Sequence, residues 1–505
     1  MGVRSAIREL FNREGAAPTQ APRRRMFEGA RVSRLTADWV TSGTSADAEI
    51  RASLTALRNR ARQLVRDSDF ARQALRAIAS NVVGNGIPFQ AQVKKQRGNK
   101  LDQPVNDAIE AAWALWSKAK YCHTAGKLCF ADIERLVIRS VAESGEVLVR
   151  MVKQPFGGSK IPLGLEVIEA DLLDDTYNGN APNNKNEVRM GVELDEWQRP
   201  VAYWFRNKHP GDYTFPAGTV DTAKQRTRVP ANEILHLFLT DRPGQTRGIS
   251  WFASSVKSLH HLAGYTEAEV VRARASSALM GFITSPEGEL MGDDVMDGER
   301  VTDFSPGKFA YLQPGESITV PNLDAPDGQF EPFVRGMLRA VSAGLGVSYE
   351  SVSHDFSQTN YSSSRLSLLE ERDNWRMLQR WLTENLHQRV FEQWLELAVL
   401  SGALNLPVYE ADPERYRQVR WMYRGWSWVD PQKEIAAYKE AEMAGYTTKA
   451  EIIAENGGDI EEVFQQRRRE LDLADELGLS FDTSNPPEAE TETVDSIKEE
   501  LQTEM

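Results

Sequence analysis

The sequence predicts a multidomain α+β chain built largely on long helices. Three observations carry this. At 505 residues the chain is too long for one compact core. Its apolar spacing is helical at first, then alternates with period two, then becomes helical again, the order of an α+β layer followed by a helical part. Finally, 365–401 runs 37 residues without Gly or Pro. At about 1.5 Å per residue a straight helix there would span roughly 55 Å, a length common in coiled coils, bundles and assemblies.

Taken in order, 1–45 lack clear periodicity and carry Arg23-Arg24-Arg25, which predicts an arm. Helical spacing runs over 46–83 and stops at Gly84-Asn85-Gly86-Ile87-Pro88. A second helix places Val105, Ile109, Trp113 and Trp116 on one stripe, and a third does so with Phe130, Ile133, Val137 and Val141. Alternation over 146–152 predicts a strand, as does Leu163, Leu165, Val167. Residues 191–193 and 200–205 form hairpin arms about the polar turn 195–199, and 233–238 is another short strand. Helix returns over 250–283. Residues 284–325 are rich in Gly, Pro and Asp, with short strands at 308–312 and 317–320. A helix over 330–345 and a polar, helix-poor stretch over 354–364 precede the long helix, in which Trp375, Leu378, Leu382, Leu386, Val390, Trp394 and Leu397 keep steps of three or four. Gly402 supplies its stop. A last helical region covers 431–476, ahead of an acidic tail.

Composition sets limits. No apolar run of about 18 residues occurs, so no membrane span is expected, and the basic first residues lack the apolar core of a secretory signal. With only Cys122 and Cys129, folding is expected in a reducing cytoplasm. The formal charge of −13 argues against tight wrapping of nucleic acid. It is uneven: 1–35 hold eight Arg against three Glu, while 482–505 hold eight acids against Lys498.

Catalytic signatures are missing. There is no G-x-x-x-x-G-K-[ST], and Gly84-Asn85-Gly86 follows a helix and lacks a third glycine. Gly248-Ile249-Ser250 lacks the second glycine of a nucleophile elbow. His260-His261 is not a zinc motif, and Cys122, His123 and Cys129 fit no standard zinc spacing. Val295 breaks the resemblance of Asp293, Asp294 and Asp297 to a calcium loop. Asp171, Asp174 and Asp175 are either a cation site or a solvated turn. Glu146, after Ser144-Gly145, is either an acid with chemistry to do or the start of a strand beyond a glycine turn. No catalytic residue, metal site or cofactor is expected. The segment 242–248, with a Pro-Gly turn and Gln245 and Arg247, can locally bind phosphate, anchor a carboxylate of another subunit, or be solvated.

Ordered landmarks give a sharper reading: RARQLVRD at 60–67, NVVGNG at 81–86, AESGEVLV at 142–149, the segment 191–205, His236, GQTRG at 244–248, LQPGE at 312–316, AGLGVSYE at 343–350 with Ser351, YSSSR at 361–365, WVDPQKE at 428–434 and AGYTT at 444–448. Each is short, but their shared order over most of 46–470 resembles the lambda family of phage portal proteins.

That resemblance implies the multidomain portal fold of wing, stem, clip and crown regions, with long channel helices, assembling as a dodecameric ring. The ring would form the head-to-tail connector vertex, the channel through which double-stranded DNA is packaged and ejected. It implies a wing domain at 46–248, stem helices at 249–283 and 326–347 flanking a clip at 284–325, a tunnel loop at 348–364, a long helix and wing return at 365–428 and a helical crown region at 429–481; the arm at 1–45 and the acidic, disordered tail at 482–505 are read from composition alone. Asn360, Tyr361, Ser362, Ser363 and Ser364 would make weak polar contacts with sliding DNA; the alternative is a plain surface loop before the helix. Lys257, Arg272, Arg274, Arg335 and Arg339 would face the lumen or bridge subunits. Implied partners are further copies of the chain, the DNA, the terminase large subunit, a capsid or scaffold protein and a head–tail adaptor, with no membrane. The product would sit at the capsid vertex of the virion after assembly in the host cytoplasm, as a structural protein and not an enzyme. Competing expectations are a metal-dependent nucleic-acid enzyme, tested by magnesium-dependent cleavage of plasmid DNA, and a head-assembly scaffold without a pore, tested by imaging for rings.

Overall fold

Ser68 divides the first helical run in two: α1 spans Ala46–Asp67 and α2 Asp69–Val82. The Ser68 hydroxyl accepts from Ala71 N, capping α2 where the chain bends. The computed structural model describes residues 34, 38–96, 100–182, 185–212, 226–277, 282–284, 295–296, 299–300, 317–319, 330–357, 361–426, 431–456 and 458–478. The expected strand at 308–312 and the tail at 482–505 lie outside them.

After α2 come a short strand β1 (Phe89–Ala91), α3 (Gln103–Trp116) and α4 (Phe130–Ser144). Gly145, at φ 92°, ends α4 in the left-handed conformation. The chain then enters β2 (Glu146–Val152) and β3 (Gly164–Ile168), followed by the short strands β4 (Gly179–Asn180), β5 (Glu187–Arg189) and β6 (Val192–Leu194). Next come β7 (Pro200–Arg206), β8 (Arg226–Pro230) and β9 (Ile234–Phe238). Two antiparallel sheets result, β4-β5-β6-β7-β8 as a meander and β3-β2-β9 with β2 in the middle. The central β2 is buried on both faces over its first four residues, which explains its continuous apolar run. Leu148 and Ile234 from the three-stranded sheet meet Val192, Tyr203, Phe205 and Val229 from the five-stranded one in a core of their own.

A 3-10 turn (Trp251–Ser254) leads into α5 (Val256–Ser277). The strand β10 (Phe282–Thr284) comes next, so the helix expected to reach 283 stops earlier. Within the Gly- and Pro-rich insert, β11 (Val295–Met296) pairs with β12 (Glu299–Arg300). The strand β13 (Ser317–Thr319) closes back on β10, with Phe282 opposite Thr319. The two ends of the insert thus meet as an antiparallel ribbon between α5 and α6 (Phe330–Leu345), which pack together through the Tyr265, Phe330 and Phe333 rings.

A short helix α7 (Tyr349–Ser353) precedes α8 (Tyr361–Leu382). A π turn at Thr383–His387 joins α8 to α9 (Gln388–Leu400), so the long helix carries a one-residue bulge. The bulge presents the fully buried His387, whose Nε2 lies 2.8 Å from Glu134 Oε1. Around it the rings of Trp113, Trp116, Phe130, Phe391 and Trp394 pack edge-on, tilted and, between Phe391 and Trp394, stacked, at the centre of the main core.

The chain returns to pair β14 (Val419–Trp421) with β1, then forms α10 (Pro431–Met443), α11 (Lys449–Glu455) and α12 (Ile460–Leu477). Near the start of α12, Glu110 accepts from Ala91 N at 2.7 Å. Burial, helped by Asp459, Asp107 and Glu461, raises its carboxyl to about 7. Its contribution is therefore full below an unfolded value of about 4.3 and lost as pH rises through 7. Glu110→Gln is expected to raise the thermal midpoint at pH 8 and leave it nearly unchanged at pH 4; equal shifts at both would contradict this.

Candidate functional site: a buried charge cluster and the channel elements

The segment 241–250, which feeds α5, is held by the most heavily bonded acid among the described residues. Glu146 is fully buried at the start of β2. Its carboxylate accepts from Arg247 Nε at 2.9 Å and Nη2 at 2.6 Å, from Arg58 Nη2 at 2.8 Å and from Gly248 N at 2.9 Å. His236 Nε2 lies 2.9 Å away. Burial by itself would raise the Glu146 carboxyl; the Arg247 charge and the His236 bond more than reverse this and hold it ionised, far below the usual range. Burial pushes His236 down despite Glu146, so the ring is neutral and its Nε2 proton points at the carboxylate. Arg247 also donates to Met190 O at 2.7 Å and to Ala170 O at 3.2 Å. A carboxylate so saturated and ionised has no proton to give and no open face for substrate. Glu146 is a tie point and not a general acid.

Each arm of the cluster comes from a different element. Arg58 lies on the buried stripe of α1, between Leu54 and Ala61, and also reaches Asp171 at 3.5 Å. Arg62 bonds Asp171 at 2.6 Å and Ser144 Oγ at 3.2 Å. Arg247 closes the Pro-Gly turn, where Gln245 Oε1 accepts from Asp241 N at 2.9 Å and Gln245 Nε2 donates to Arg247 O at 2.9 Å. Thr246 is held by Asp47, and Arg242 meets Glu49 at 2.8 Å. This corrects the expectation for 242–248. Arg247 neither awaits phosphate nor another subunit's carboxylate, because burial and its bonds to Glu146, Met190 and Ala170 commit it within the chain.

The other chemical candidates are committed in the same way. Asp174 pairs with Arg206 at 2.8 Å and with Arg226, and Asp175 pairs with Arg206 at 2.6 Å. Glu169, Asp171 and His209 come within reach of a common cation, but Arg62 Nη2 already lies 2.6 Å from Asp171 and 3.6 Å from Glu169. Burial pushes the Cys122 thiol up to about 12. His123 Nδ1 accepts from Lys127 N, and Cys129 bonds Asp132 at the start of α4, so these three side chains serve a turn and a helix end.

Of the residues expected to act in a channel, Asn360 lies outside the described residues. Tyr361, Ser362, Ser363 and Ser364 form the first turn of α8. This corrects the loop boundary: their hydroxyl-rich sequence masks a helix start, since Ser in a first turn costs little. On α5, Lys257 and Arg274 form no ion pair among the described residues, while Arg272 meets Glu269 at 3.2 Å. On α6, Arg335 is mostly covered, bonded to Glu331 and 3.6 Å from Asp355. The Arg339 guanidinium sits 5.5 Å from the centre of the Tyr349 ring. Arg272 and Arg335 thus have partners in their own chain, and Lys257 and Arg274 are the two of these five left open among the described residues.

A family model described as phage portal protein, lambda family, matches residues 32–379, from before α1 almost to the end of α8. The chain belongs to the lambda family of phage portal proteins. The match takes in the whole Glu146 cluster and both helices flanking the insert. The probable portal protein of Halomonas phage phiHAP-1 is 31% identical over 486 residues, covering 93% of this chain and 92% of that one. The portal protein of Escherichia phage N15 is 23% identical, covering 89% of each, and portal protein B of Escherichia phage lambda is 22% identical, covering 86% of each. The portal chain thus has the role of a connector subunit. Among solved structures, a chain from the neck of an empty GTA particle aligns over 84% of this portal chain and 97% of its own, with 13% identity and a TM-score of 0.41. Sequence reading missed Arg58, Asp171 and His236 as members of the charge cluster. The signal was present for two of them: Arg58 interrupts the apolar stripe Ile50, Leu54, Ala61, Val65, and His236 interrupts a strand of buried aliphatics.

Proposed function

We propose that the chain is one of twelve subunits of a ring at the capsid vertex, enclosing the passage for double-stranded DNA and carrying out no catalysis. The observation that supports this most directly is the pair α5 and α6, joined through an insert whose ends are closed by the β10–β13 ribbon. Two adjacent helices with a projecting insert can stand side by side around a pore and offer the insert to a head–tail adaptor or the terminase large subunit at one end. In this reading 46–248 is the wing, α5 and α6 the stem, 284–325 the clip, and 429–481 the crown region. The start of α8 faces the passage, with capsid or scaffold protein around the rim. The ring is assembled in the host cytoplasm and remains in the virion. The net charge of −13 per copy suits a lumen that must not hold phosphates, since repulsion acts over distances near the Debye length of about 10 Å. The arginine-engaged acids near Glu146 support the non-enzymatic reading.

Negative-stain imaging of the purified chain tests it: rings with a central hole are expected, and monomers or filaments alone at high concentration would overturn it. Magnesium-dependent plasmid cleavage lost on substituting acids would overturn the non-enzymatic part. Alanine replacement of Asn360 and Tyr361–Ser364 is expected to leave rings intact and lower the yield of DNA-filled particles several-fold. Replacement is the better test than deletion, because removing four residues from the first turn would shorten α8 by about one turn and drag the preceding segment along it. Loss of rings would show these residues to be structural.

A further inference from the structure

A cavity of about 420 Å³ lies beside the charge cluster, between β6, β7, β9, the turn at 244–246 and α9. Its walls include Val192, Leu194, Ile234 and Phe238. Three polar groups on it have no partner of their own among the described residues. Arg389 is exposed and makes no hydrogen bond or ion pair there. The hydroxyl of the otherwise buried Tyr203 makes no hydrogen bond. His236 uses Nε2 on Glu146 and leaves Nδ1 without a partner.

The placement of Arg389 has a cause. It stands two residues beyond the π turn. One extra residue rotates the remainder of the helix by about 100° relative to an unbroken one. The bulge therefore decides which face carries the cation, and π bulges concentrate at functional positions. Arg389 is also close enough to Tyr203 for its charge to oppose the effect of burial, which holds the phenol protonated well above its ordinary range.

The three groups define a ligand. Arg389 and the Tyr203 hydroxyl donate, so they call for an oxyanion. His236 must donate from Nε2 to the ionised Glu146, so its Nδ1 accepts, and the ligand must bring an N–H or O–H there. The apolar walls need an aliphatic group beside the charge. A free phosphate offers no aliphatic group; an acidic peptide offers all three features. The chain contains such a peptide: 494–501 reads VDSIKEEL, with Asp495 next to Val494 and Glu500 next to Leu501, inside a stretch of eight acids and one lysine.

We propose that this cavity binds the chain's own acidic segment 494–501, a carboxylate resting on Arg389 and the Tyr203 hydroxyl, a backbone N–H on His236 Nδ1, and an aliphatic side chain against the wall. The occupant would rest one side chain away from Glu146, and so beside the segment that feeds α5.

Hydrogen exchange on the full chain, read by mass spectrometry, tests this. In the unaltered protein the amides of 494–501 should exchange about tenfold or more slowly than in the free peptide of the same sequence. Arg389→Gln and Tyr203→Phe should each remove most of that protection. Both should spare the global unfolding midpoint, since Arg389 is exposed and the Tyr203 hydroxyl is unbonded. Arg199→Gln, on the nearby hairpin turn, should change nothing. Arg389→Glu should lose the protection, and adding Asp495→Lys with Glu500→Lys should restore it. Free-peptide exchange rates in the unaltered chain would overturn the proposal. So would protection that survives both cavity substitutions. Displacement of the segment by millimolar N-acetylglutamate would place the recognition in the carboxylate, as proposed; indifference to it together with indifference to Arg389→Gln would assign any protection to another surface.

Discussion

Glu146→Gln should destabilise the folded chain by about 3–5 kcal/mol, the range for breaking a buried ion pair by removing one partner. The substitution is nearly isosteric, so no cavity is involved. What it removes is the charge facing Arg247 and Arg58, both almost without exposure. Arg247 cannot escape by losing a proton, and its other bonds go only to neutral carbonyls of Met190 and Ala170. Asp171 partly compensates Arg58 but is shared with Arg62. Adding Arg247→Met to Glu146→Gln should recover part of the loss, because an apolar replacement of similar length removes the orphaned charge. Urea unfolding of single and double variants checks this; a single-variant loss under about 1 kcal/mol, the scale of an exposed pair, would show that water reaches the cluster. The same groups set an acid limit. Glu146, Asp171 and Asp174 are all depressed in the folded protein, so their contributions are present above about pH 4 and lost as pH falls through their folded values. His236 is depressed too, so its contribution begins to be lost earlier, as pH falls below its unfolded value of about 6.5. The cluster's own contribution should therefore decline from near pH 6.5 downward, against the gain from Glu110 over the same range, with His236→Gln removing the first part of the decline.

Gly145→Ala and Gly248→Ala should each cost about 3 kcal/mol or more, combining overpacking with, at 145, a disfavoured backbone. The two glycines face each other where α4 ends and the α5 feed passes. A Cβ on Gly145 would run into the backbone of Ile249 and Ser250; one on Gly248 would run into the Gly145 carbonyl and Phe238 Cβ. These obstacles are mostly main chain, which cannot swing aside as a side chain does. Gly145 also sits at φ 92°, where an added Cβ is strained regardless of space. Because each methyl would fill the same contact, the double variant should cost less than the sum. Strict additivity in thermal unfolding would mean that the two chain segments do not touch as described.

Much of the architecture is legible in residue spacing alone. The apolar run over 146–152 corresponds to β2, buried on both faces over its first four residues, and the alternation about the turn at 195–199 to the β6–β7 hairpin, because strand burial leaves a direct mark on sequence. The stripes carrying Trp113 and Trp116 on α3 and Phe130 on α4 meet at the centre of the core, since burial at steps of three and four marks a helix as directly. The π turn leaves no mark, since apolar steps of three and four continue on both sides of it. The hydroxyl run at 361–364 reads as loop but is helix, because Ser and Thr serve turns and first helical turns alike. The division of α1 from α2 rests on Ser68, one capping residue inside a continuous helical pattern. The charge cluster is legible only in pieces. Glu146, His236 and Arg247 each stand out, but their meeting depends on β9 pairing with β2 and on a turn distant in sequence, which no local spacing encodes.

The β10–β13 ribbon also bears on how such a protein can be altered. Phe282 and Thr319 are ladder partners, so the ends of the insert stand about one strand spacing, roughly 5 Å, apart. Whatever chain lies between them begins and finishes at the same place, and doubling its length adds only about 0.6 kcal/mol of closure entropy. The ribbon is thus a natural grafting point. A foreign segment with matched ends could be exchanged there without changing the spacing of α5 and α6, leaving the body of the subunit untouched while the stretch between the two ribbon strands is rewritten.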